Sequence, residues 1–311
     1  METSTVQNAG LDAAEQPRSR AVLKRRINVL DAALKPKHAL RIVDIGANPI
    51  NVPSYEDLLA LGSCEVWGFE PDERAYGELM TSPKPGTHYM KAAVGRPGPG
   101  KFYPHPQSGL SSTFPVRQKS VQFYSKPGWF KPDAQAIDID LVSLDSLSEN
   151  ALPKPDVIKI DIQGGELDVF CHGREKMDQA VCVIPEVRFY RIYEGEPLWG
   201  AVDQELHAQG FTFHKFEFTK TLAVTNSQAD RLDRKAVRSQ MLDGDAIYIR
   251  NPETMGDWSV EQVSALAYAA SGVFFSHDLV VHALDELVRR SHIDGQVPAR
   301  YVDSLPRWMR K

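Results

Sequence analysis

Residues 40 to 48 read Leu-Arg-Ile-Val-Asp-Ile-Gly-Ala-Asn, and this stretch decides the fold. Its first six residues are mainly apolar and β-branched, which predicts a buried parallel strand. Asp44 places a carboxylate just before the strand ends, and Gly46 and Ala47 then add little or no side chain. A turn of small residues lets a ligand approach the backbone closely. Because open α/β sheets bind ligands at the carboxyl ends of their strands, we expect a ligand here.

The composition is that of an ordinary globular protein. The chain has 311 residues, of which 42% are hydrophobic and 25% charged, enough for one large or two modest domains. Its net charge of -5 does not favour a nucleic-acid partner. The three cysteines form no CxxC pair and no His–carboxylate cluster stands out, so we expect neither a disulfide framework nor a metal site. Without a signal peptide or a membrane-spanning apolar run, the sequence predicts a cytoplasmic protein.

Beyond residue 48 the chain alternates short apolar segments with segments of helical periodicity. This alternation predicts an α/β fold built on a doubly wound, mostly parallel sheet. We expect the last two strands to form an antiparallel closing pair. The predicted strands after the first one are 64–70, 87–93, a half-exposed strand over 137–142, then 157–162, 181–187, 211–218 and 246–250.

Four segments differ in composition. Residues 1–20 are polar and predict a disordered tail. Residues 21–250 form the predicted main domain, and within it residues 96–136 are rich in Pro, Gly and aromatic residues, which predicts an ordered flap over the site. Residues 251–311 predict a helical C-terminal extension with an apolar face. That face must bury against the main domain, a partner or a second copy, and a homo-oligomer through these helices is one interpretation.

Three carboxylates stand at or near the ends of predicted parallel strands, namely Asp44, Glu70 and Asp161. Parallel strands present these ends along one edge of the sheet, so we expect the three side chains to meet. A carboxylate at Glu70 can accept hydrogen bonds from both hydroxyls of a ribose. The alternatives are that Glu70 is an exposed acid at a strand end and that Asp161 caps the next helix.

The turn after the first strand lacks the GxGxxG pattern. A dinucleotide needs those glycines to hold its pyrophosphate at a helix N-terminus, so their absence argues against a nicotinamide-dependent oxidoreductase. A cofactor with a nucleoside and no phosphate fits better. The sequence therefore favours S-adenosylmethionine (SAM), with its amino-acid moiety along Asp44, Gly46, Ala47 and Asn48.

These motifs together resemble the FkbM-type family of class I SAM-dependent methyltransferases. The resemblance spans residues 40–220. The Lys-Ile-Asp-Ile-Gln-Gly-Gly-Glu run that follows the first motif in the correct order is its most specific part. The matching segments are 43–48, 68–71, 92–95, 111–112, 159–167, 185–187 and 193–195.

The resemblance implies a seven-stranded Rossmann-like sheet and methyl transfer from SAM to a small-molecule or carbohydrate acceptor, usually to an oxygen of a sugar, glycan or natural product. A hydroxyl is a poor nucleophile, so a nearby base should help. Asp161 is the first candidate for that base, Glu186 the second and the flap residue His105 the third. The cofactor-binding residues implied are Asp44, Gly46, Ala47, Asn48, Glu70, Ala93 and Asp161.

The sequence departs from the family at one turn. The family usually has a second glycine two residues after the asparagine of the first motif, whereas here Pro49, Ile50 and Asn51 follow it. Asn51 is a residue type that can adopt a left-handed conformation. The departure and the helical extension keep open a second interpretation, a catalytically weakened binding or scaffold protein. A nicotinamide-dependent oxidoreductase is the weaker alternative.

Overall fold

The structure is a computed structural model and describes residues 19–131 and 135–311, so most of the predicted tail lies outside the described residues. Its main sheet has seven strands. All adjacent strands pair in parallel except β10, which is antiparallel to both of its neighbours. This confirms the predicted sheet and its antiparallel closing pair. In spatial order the strands are β3 (Thr87–Met90), β2 (Cys64–Phe69), β1 (Leu40–Ile45), β7 (Val157–Ile160), β8 (Cys182–Arg188), β10 (Gln240–Arg250) and β9 (Phe211–Leu222).

Helices cover both faces of this sheet. Two of the described α-helices begin at a side-chain cap: Asp72 accepts hydrogen bonds from the N–H groups of Arg74 and Ala75 at the start of α3, and Ser259 forms a capping box with Gln262 at the start of α7. In the described ranges, no helix is both long enough and apolar enough to cross a membrane. The helices are α1 (Arg20–Leu34), α2 (Glu56–Ala60), α3 (Glu73–Thr81), α4 (Gln118–Tyr124), α5 (Glu166–Cys171), α6 (Trp199–Ala208), α7 (Val260–Gly272), α8 (His277–Arg289) and α9 (Val297–Asp303).

A smaller sheet stands beside the main one. It contains β4 (Ala93–Val94), β5 (Gly98–Phe102) and β6 (Ile137–Val142), in the order β4-β6-β5. The predicted third strand, 87–93, is therefore wrong at its end. Strand β3 ends at Met90 because a tight turn follows and directs the chain into β4. In this turn the Ala92 N–H donates to the Met90 carbonyl at 3.1 Å.

The order of the strands places a crevice next to β1. The chain runs outward from β1 through β2 to β3, and it then returns to the other side of β1 as β7. Connections leave the sheet in opposite directions at this switch point, so the carboxyl ends of β1 and β7 border an open crevice. The sequence predicted this edge as the ligand site.

Two apolar cores fill the space between the sheet and its helices. Alternate side chains of β1 point into different cores: Ile42 contacts the layer of α1, α2 and α7–α9, and Val43 contacts the layer of α5 and α6. This alternation is the period of two that a strand buried on both faces requires.

The C-terminal helices are part of the first of these cores. The apolar face of α8 is buried together with residues of α1 and of the sheet, and the Tyr268 hydroxyl of α7 donates to Asp31 Oδ1 of α1 at 2.6 Å. The division of the chain at residue 250 and the homo-oligomer stay predictions. The apolar face of α8, which suggested the homo-oligomer, is covered by other segments of the same chain. The buried residues of that face are Leu279, Val280, Ala283, Leu284 and Leu287.

We predict that Leu284→Ala destabilises the whole protein by about 2–5 kcal/mol, because it leaves a cavity in a core shared with the sheet. Denaturant unfolding followed by circular dichroism should show one transition at lower denaturant. The exposed His282 of the same helix provides the control, and His282→Ala should change little. A separate early transition for α7–α9, with the main transition unchanged, would contradict the prediction.

Candidate functional site

A cavity of about 980 Å³ opens at the carboxyl ends of β1, β2, β7 and β8. This volume is at the upper end of the range for small-molecule sites, about 300–1,000 Å³. It brings together all the residues that the sequence predicted for cofactor binding, and the first two candidates for the base. The predicted residues that line it are Asp44, Gly46, Ala47, Asn48, Glu70, Ala93, Asp161 and Glu186.

The turn after β1 presses the backbone against β7. Gly46 has φ of 82°, and a Cβ placed on it would lie 2.0 Å from the carbonyl oxygen of Asp161. The N–H groups of Gly46 and Ala47 both donate to the Phe69 carbonyl, at 2.9 and 3.0 Å, while the Asp161 N–H donates to Ile45 at 2.9 Å. Only glycine fits this position, since both its φ and the available space exclude a side chain.

Asp44 is buried and its charge is balanced within the protein. Lys159, its register partner on β7, donates from Nζ to Asp44 Oδ1 at 3.0 Å, and the Tyr55 hydroxyl donates to the other oxygen. Burial alone would lower the pKa of Lys159, but the charges of Asp44 and Asp161 outweigh it and raise the pKa. The ion pair therefore links β1 to β7 beneath the cavity.

Glu70 follows β2 directly and is 5% exposed. Its Oε1 accepts the N–H of Asp72 at 2.8 Å. Burial raises the pKa of the Glu70 carboxyl to about 7 against the effect of that hydrogen bond, and the charges of Asp72, Asp44 and Asp161 add to the rise. The carboxylate thus has one oxygen fixed by the backbone and lies in an acidic surrounding.

Asp161 and Glu186 are joined by one amide group. Gln163 Nε2 donates to Asp161 Oδ1 at 2.7 Å and to Glu186 Oε2 at 2.8 Å. The sequence places Gln163 within a motif but does not indicate its role. The only signal was a polar residue in a turn before two glycines, which does not reveal its partners.

Arg188 places a buried positive charge at this end of the cavity, which the sequence did not indicate. The buried guanidinium donates to Glu186 Oε2 at 2.7 Å and to Asp243 Oδ2 at 2.8 Å, and its Nε lies 3.3 Å from Glu196 Oε2. Burial lowers the pKa of Arg188, but these three carboxylates outweigh it and raise it. Burial raises the pKa of Glu186 well above its ordinary value, although Arg188 opposes the rise.

The flap lines the cavity and is hydrogen-bonded to the site. Ser108 Oγ lies 3.4 Å from Asn48 Oδ1, and Ser112 Oγ donates to the Gln163 carbonyl at 2.7 Å. His105, the third candidate base, is buried in the flap and is not among the lining residues. Ser111 serves the flap itself, because its Oγ accepts the His105 N–H at 3.0 Å.

The turn at residues 49–51 does not compensate for the missing glycine in the way the sequence suggested. Asn51 does not take a positive φ, and in residues 19–131 and 135–311 the non-glycine residues that do are Lys35, Ser125, Gln163, Phe275 and Ser291.

Within the part of the chain that the structure describes, no group of three or more His, Cys, Asp or Glu side chains is placed to hold a metal ion.

The sequence matches the profile described as "Methyltransferase FkbM domain" over residues 44–213, more than half of the chain. This chain belongs to the FkbM methyltransferase family. Enzymes of the family take their methyl group from SAM, so SAM is the cofactor that the cavity is expected to hold. No curated protein matches the sequence of this FkbM methyltransferase.

Solved structures of other methyltransferases are similar to this one at low identity. Magnesium protoporphyrin IX methyltransferase from Synechocystis, with bound SAM, is 11% identical over 75% of this chain and 79% of its own, with a TM-score of 0.35. A 1,6-didemethyltoxoflavin-N1-methyltransferase from Burkholderia thailandensis is 9% identical over 74% and 79%, with a TM-score of 0.34. Precorrin-6y C5,15-methyltransferase from Geobacter metallireducens is 10% identical over 78% and 93%, with a TM-score of 0.33.

We predict that Gly46→Ala destabilises the FkbM methyltransferase by roughly 2 kcal/mol or more, because the new methyl group meets a backbone carbonyl at a positive φ. Gly77→Ala is the matched control. That glycine lies in α3, and a Cβ added to it would have no neighbouring atom within 4 Å, so its replacement should be neutral or stabilising by about 0.5–1 kcal/mol. Thermal unfolding of both variants tests this, and equal melting temperatures would contradict it.

The pKa of Glu70 predicts a pH-dependent stability. Between its ordinary value of 4.5 and about 7, folded Glu70 keeps a proton that the unfolded chain has lost, so the free energy of unfolding falls as the pH rises through this window. Glu70→Gln removes the loss, and at pH 8 the variant should be more stable than wild type by on the order of 2 kcal/mol. Denaturant unfolding at pH 5 and pH 8 measures the difference. A gain that is the same at both values would refute the assignment, and Glu65→Gln, at an exposed site in β2, is the control.

Proposed function

We propose that the protein methylates a hydroxyl group of a sugar, glycan or natural product, with SAM bound at the end of β1. One observation carries the proposal: Glu70 and Asp161, which follow strands on opposite sides of β1, line the same cavity as the turn at Gly46. This is the arrangement that a nucleoside with a positively charged sulfur requires, since acidic groups meet it from both sides.

In this proposal Glu70 binds the ribose. One of its oxygens is fixed by the Asp72 N–H, which leaves the other to accept hydrogen bonds from the ribose hydroxyls. Ala93 and the turn from Gly46 to Asn48 contact the rest of the cofactor, the turn along its amino-acid part. The small side chains there allow the close approach that such binding needs.

The acidic wall favours a cationic ligand. Asp161, Glu186 and Asp245 line the cavity, and burial raises the pKa of Asp245 to about 6, while the charge of Asp161 adds to the rise. A sulfonium or an ammonium group relieves this crowding of like charges. SAM carries both groups, whereas its product retains only the ammonium, so transfer of the methyl weakens the attraction.

The reaction is an in-line displacement in which the acceptor oxygen forms a bond to the methyl carbon while the carbon–sulfur bond breaks. Because the sulfonium leaves readily, the protein mainly aligns the reactants. Asp161 is the proposed base that takes the hydroxyl proton. Glu186 is the second candidate, but its Oε2 already accepts from Arg188 at 2.7 Å. Within the described residues, no ion pair to Asp161 is found.

The acceptor is proposed to lie between the flap and the β9–β10 hairpin. Trp129 of the flap and Phe218 of β9 line this end of the cavity together with Asp245. Aromatic faces beside carboxylates suit a ring that carries hydroxyl groups. This composition supports a carbohydrate or a polyhydroxylated natural product.

A catalytically weakened binding protein is the second candidate function. The observation in its favour is the turn at residues 49–51, which lacks the second glycine of the family and has no positive φ to replace it. This candidate predicts SAM binding without methyl transfer, so the two functions are separated by turnover.

Calorimetric titration with SAM tests the ribose assignment. We expect Glu70→Gln to weaken binding by about 10- to 100-fold, the value of one charged hydrogen bond of about 1.5–3 kcal/mol. The control Glu65→Gln should bind like wild type, because its side chain is exposed on β2. Wild-type protein that takes up no SAM, or a Glu70→Gln variant of equal affinity, would exclude this assignment.

Asp161→Asn tests the proposed base. The variant should still bind SAM, though more weakly because one acidic group beside the sulfonium is neutralised, and at saturating SAM it should lose about 10²- to 10⁴-fold in turnover, the usual contribution of general base catalysis. Turnover is measured as S-adenosylhomocysteine released with a panel of sugars and polyhydroxylated aromatic compounds. Unchanged turnover would remove Asp161 from the mechanism, and SAM binding without any turnover in wild type would favour the weakened binding protein.

A further inference from the structure

Gln163 has four hydrogen-bond partners for the four positions of its side-chain amide. Its two N–H groups donate to Asp161 and Glu186, and its oxygen accepts from Arg188 Nη2 at 3.1 Å and from the Tyr193 hydroxyl at 3.2 Å. The partners fix which end of the amide is which, because the reversed amide would place its oxygen against two carboxylates. The side chain therefore has one orientation.

The backbone of Gln163 is held as firmly as its side chain. Its φ of 60° is unusual for a residue other than glycine. Ser112 of the flap donates to its carbonyl at 2.7 Å, and the next N–H, that of Gly164, donates to Glu166 Oε2 at 3.0 Å. The single hydroxyl proton of Tyr193 is shared between the amide oxygen of Gln163, at 3.2 Å, and the Leu110 carbonyl, at 3.1 Å. The flap thus contacts Gln163 both directly and through Tyr193.

The two carboxylates that accept from the Gln163 amide, Asp161 and Glu186, differ in their other partners. Among the described residues, Glu186 accepts from the Arg188 guanidinium as well as from the amide, whereas the hydrogen bond found to the Asp161 side chain is the one from the amide. An amide donor on Oδ1 turns Asp161 without neutralising it. Within the described residues no hydrogen bond to Asp161 Oδ2 is found, and Asp161 lines the cavity.

We propose that Gln163 is a positioning residue, which orients Asp161 toward the transferable methyl group of SAM and keeps it apart from Glu186. The inference rests on the proposed function, in which Asp161 acts at that position. In this inference, the Gln163 amide sets the direction of the Asp161 carboxylate. Arg188 and Tyr193 contribute indirectly, because their hydrogen bonds hold the amide oxygen of Gln163.

Two cofactor analogues test this inference without an acceptor. Sinefungin carries a protonated amine where SAM carries its methyl group, and S-adenosylhomocysteine carries nothing there. The ratio of their dissociation constants therefore reports on a carboxylate aimed at that position. In Gln163→Met, which keeps the length of the side chain and removes its hydrogen bonds, we expect sinefungin to bind at least about tenfold more weakly relative to S-adenosylhomocysteine, the value of one charged hydrogen bond.

A double-mutant cycle separates positioning from a general structural effect. Asp161→Asn alone should change the ratio as Gln163→Met does, and the double variant should lose no more than Asp161→Asn alone, because Gln163 acts only through Asp161. Additive losses would overturn the inference. The exposed Gln122 of α4 provides a matched control, and Gln122→Met should leave both affinities unchanged.

Failure of the inference and failure of the proposed function give different results. Wild-type protein that binds neither analogue overturns the proposed function and this inference with it. Wild-type protein that binds both, with Gln163→Met lowering the two affinities equally or not at all, overturns the positioning role alone. If Gln163→Met does not fold, Tyr193→Phe is used instead, because it removes one hydrogen bond to the Gln163 amide. The ratio of the sinefungin and S-adenosylhomocysteine dissociation constants should then shift in the same direction by a few-fold. An unchanged ratio would overturn the positioning role.

Discussion

The close contact between Gly46 and the carbonyl of Asp161 is the constraint on which the site depends. With no side chain in between, the turns after β1 and β7 lie against each other, and the hydrogen bond from the Asp161 N–H to Ile45 keeps them in register. Asp161 enters the cavity from one side of this contact and Glu70 from the other. If the turns after β1 and β7 lay farther apart, Glu70 and Asp161 would not line the same cavity.

The site also depends on how a few buried positive charges are divided among many carboxylates. Lys159 balances Asp44 beneath the cavity, and Arg188 serves Glu186, Asp243 and Glu196 at its far end. Burying charges costs several kcal/mol per ion unless partners compensate, and these ion pairs supply that compensation for Asp44, Glu186, Asp243 and Glu196. Among the described residues, Asp161 and Asp245 line the cavity without an ion pair, and they are the carboxylates proposed to attract the cationic cofactor.

The sequence predicted the parts of the molecule whose signal is local. Strand β1, its small-residue turn and the carboxylates at the ends of β2 and β7 follow from hydrophobic period and residue type, and the order of motifs indicated the family. The roles of Gln163 and Arg188 could not be predicted, because they arise from hydrogen bonds between strands that only the folded sheet brings together. The partner of the apolar face of α8 was equally hidden, since periodicity shows that a face is buried but not what it contacts. The third strand was predicted too long because the tight turn at Met90 leaves no mark in the pattern.

The helical layer that α1 shares with α7–α9 has a consequence for how the protein is made. One side of the central sheet is covered by segments that lie far apart in the chain, with Tyr268 bonded to Asp31 across 237 positions. During synthesis strands β1 to β8 leave the ribosome well before residues 260–303 do, and for that interval α1 and α2 cover only part of this side of the sheet. The crevice therefore reaches its final support only after those residues have emerged.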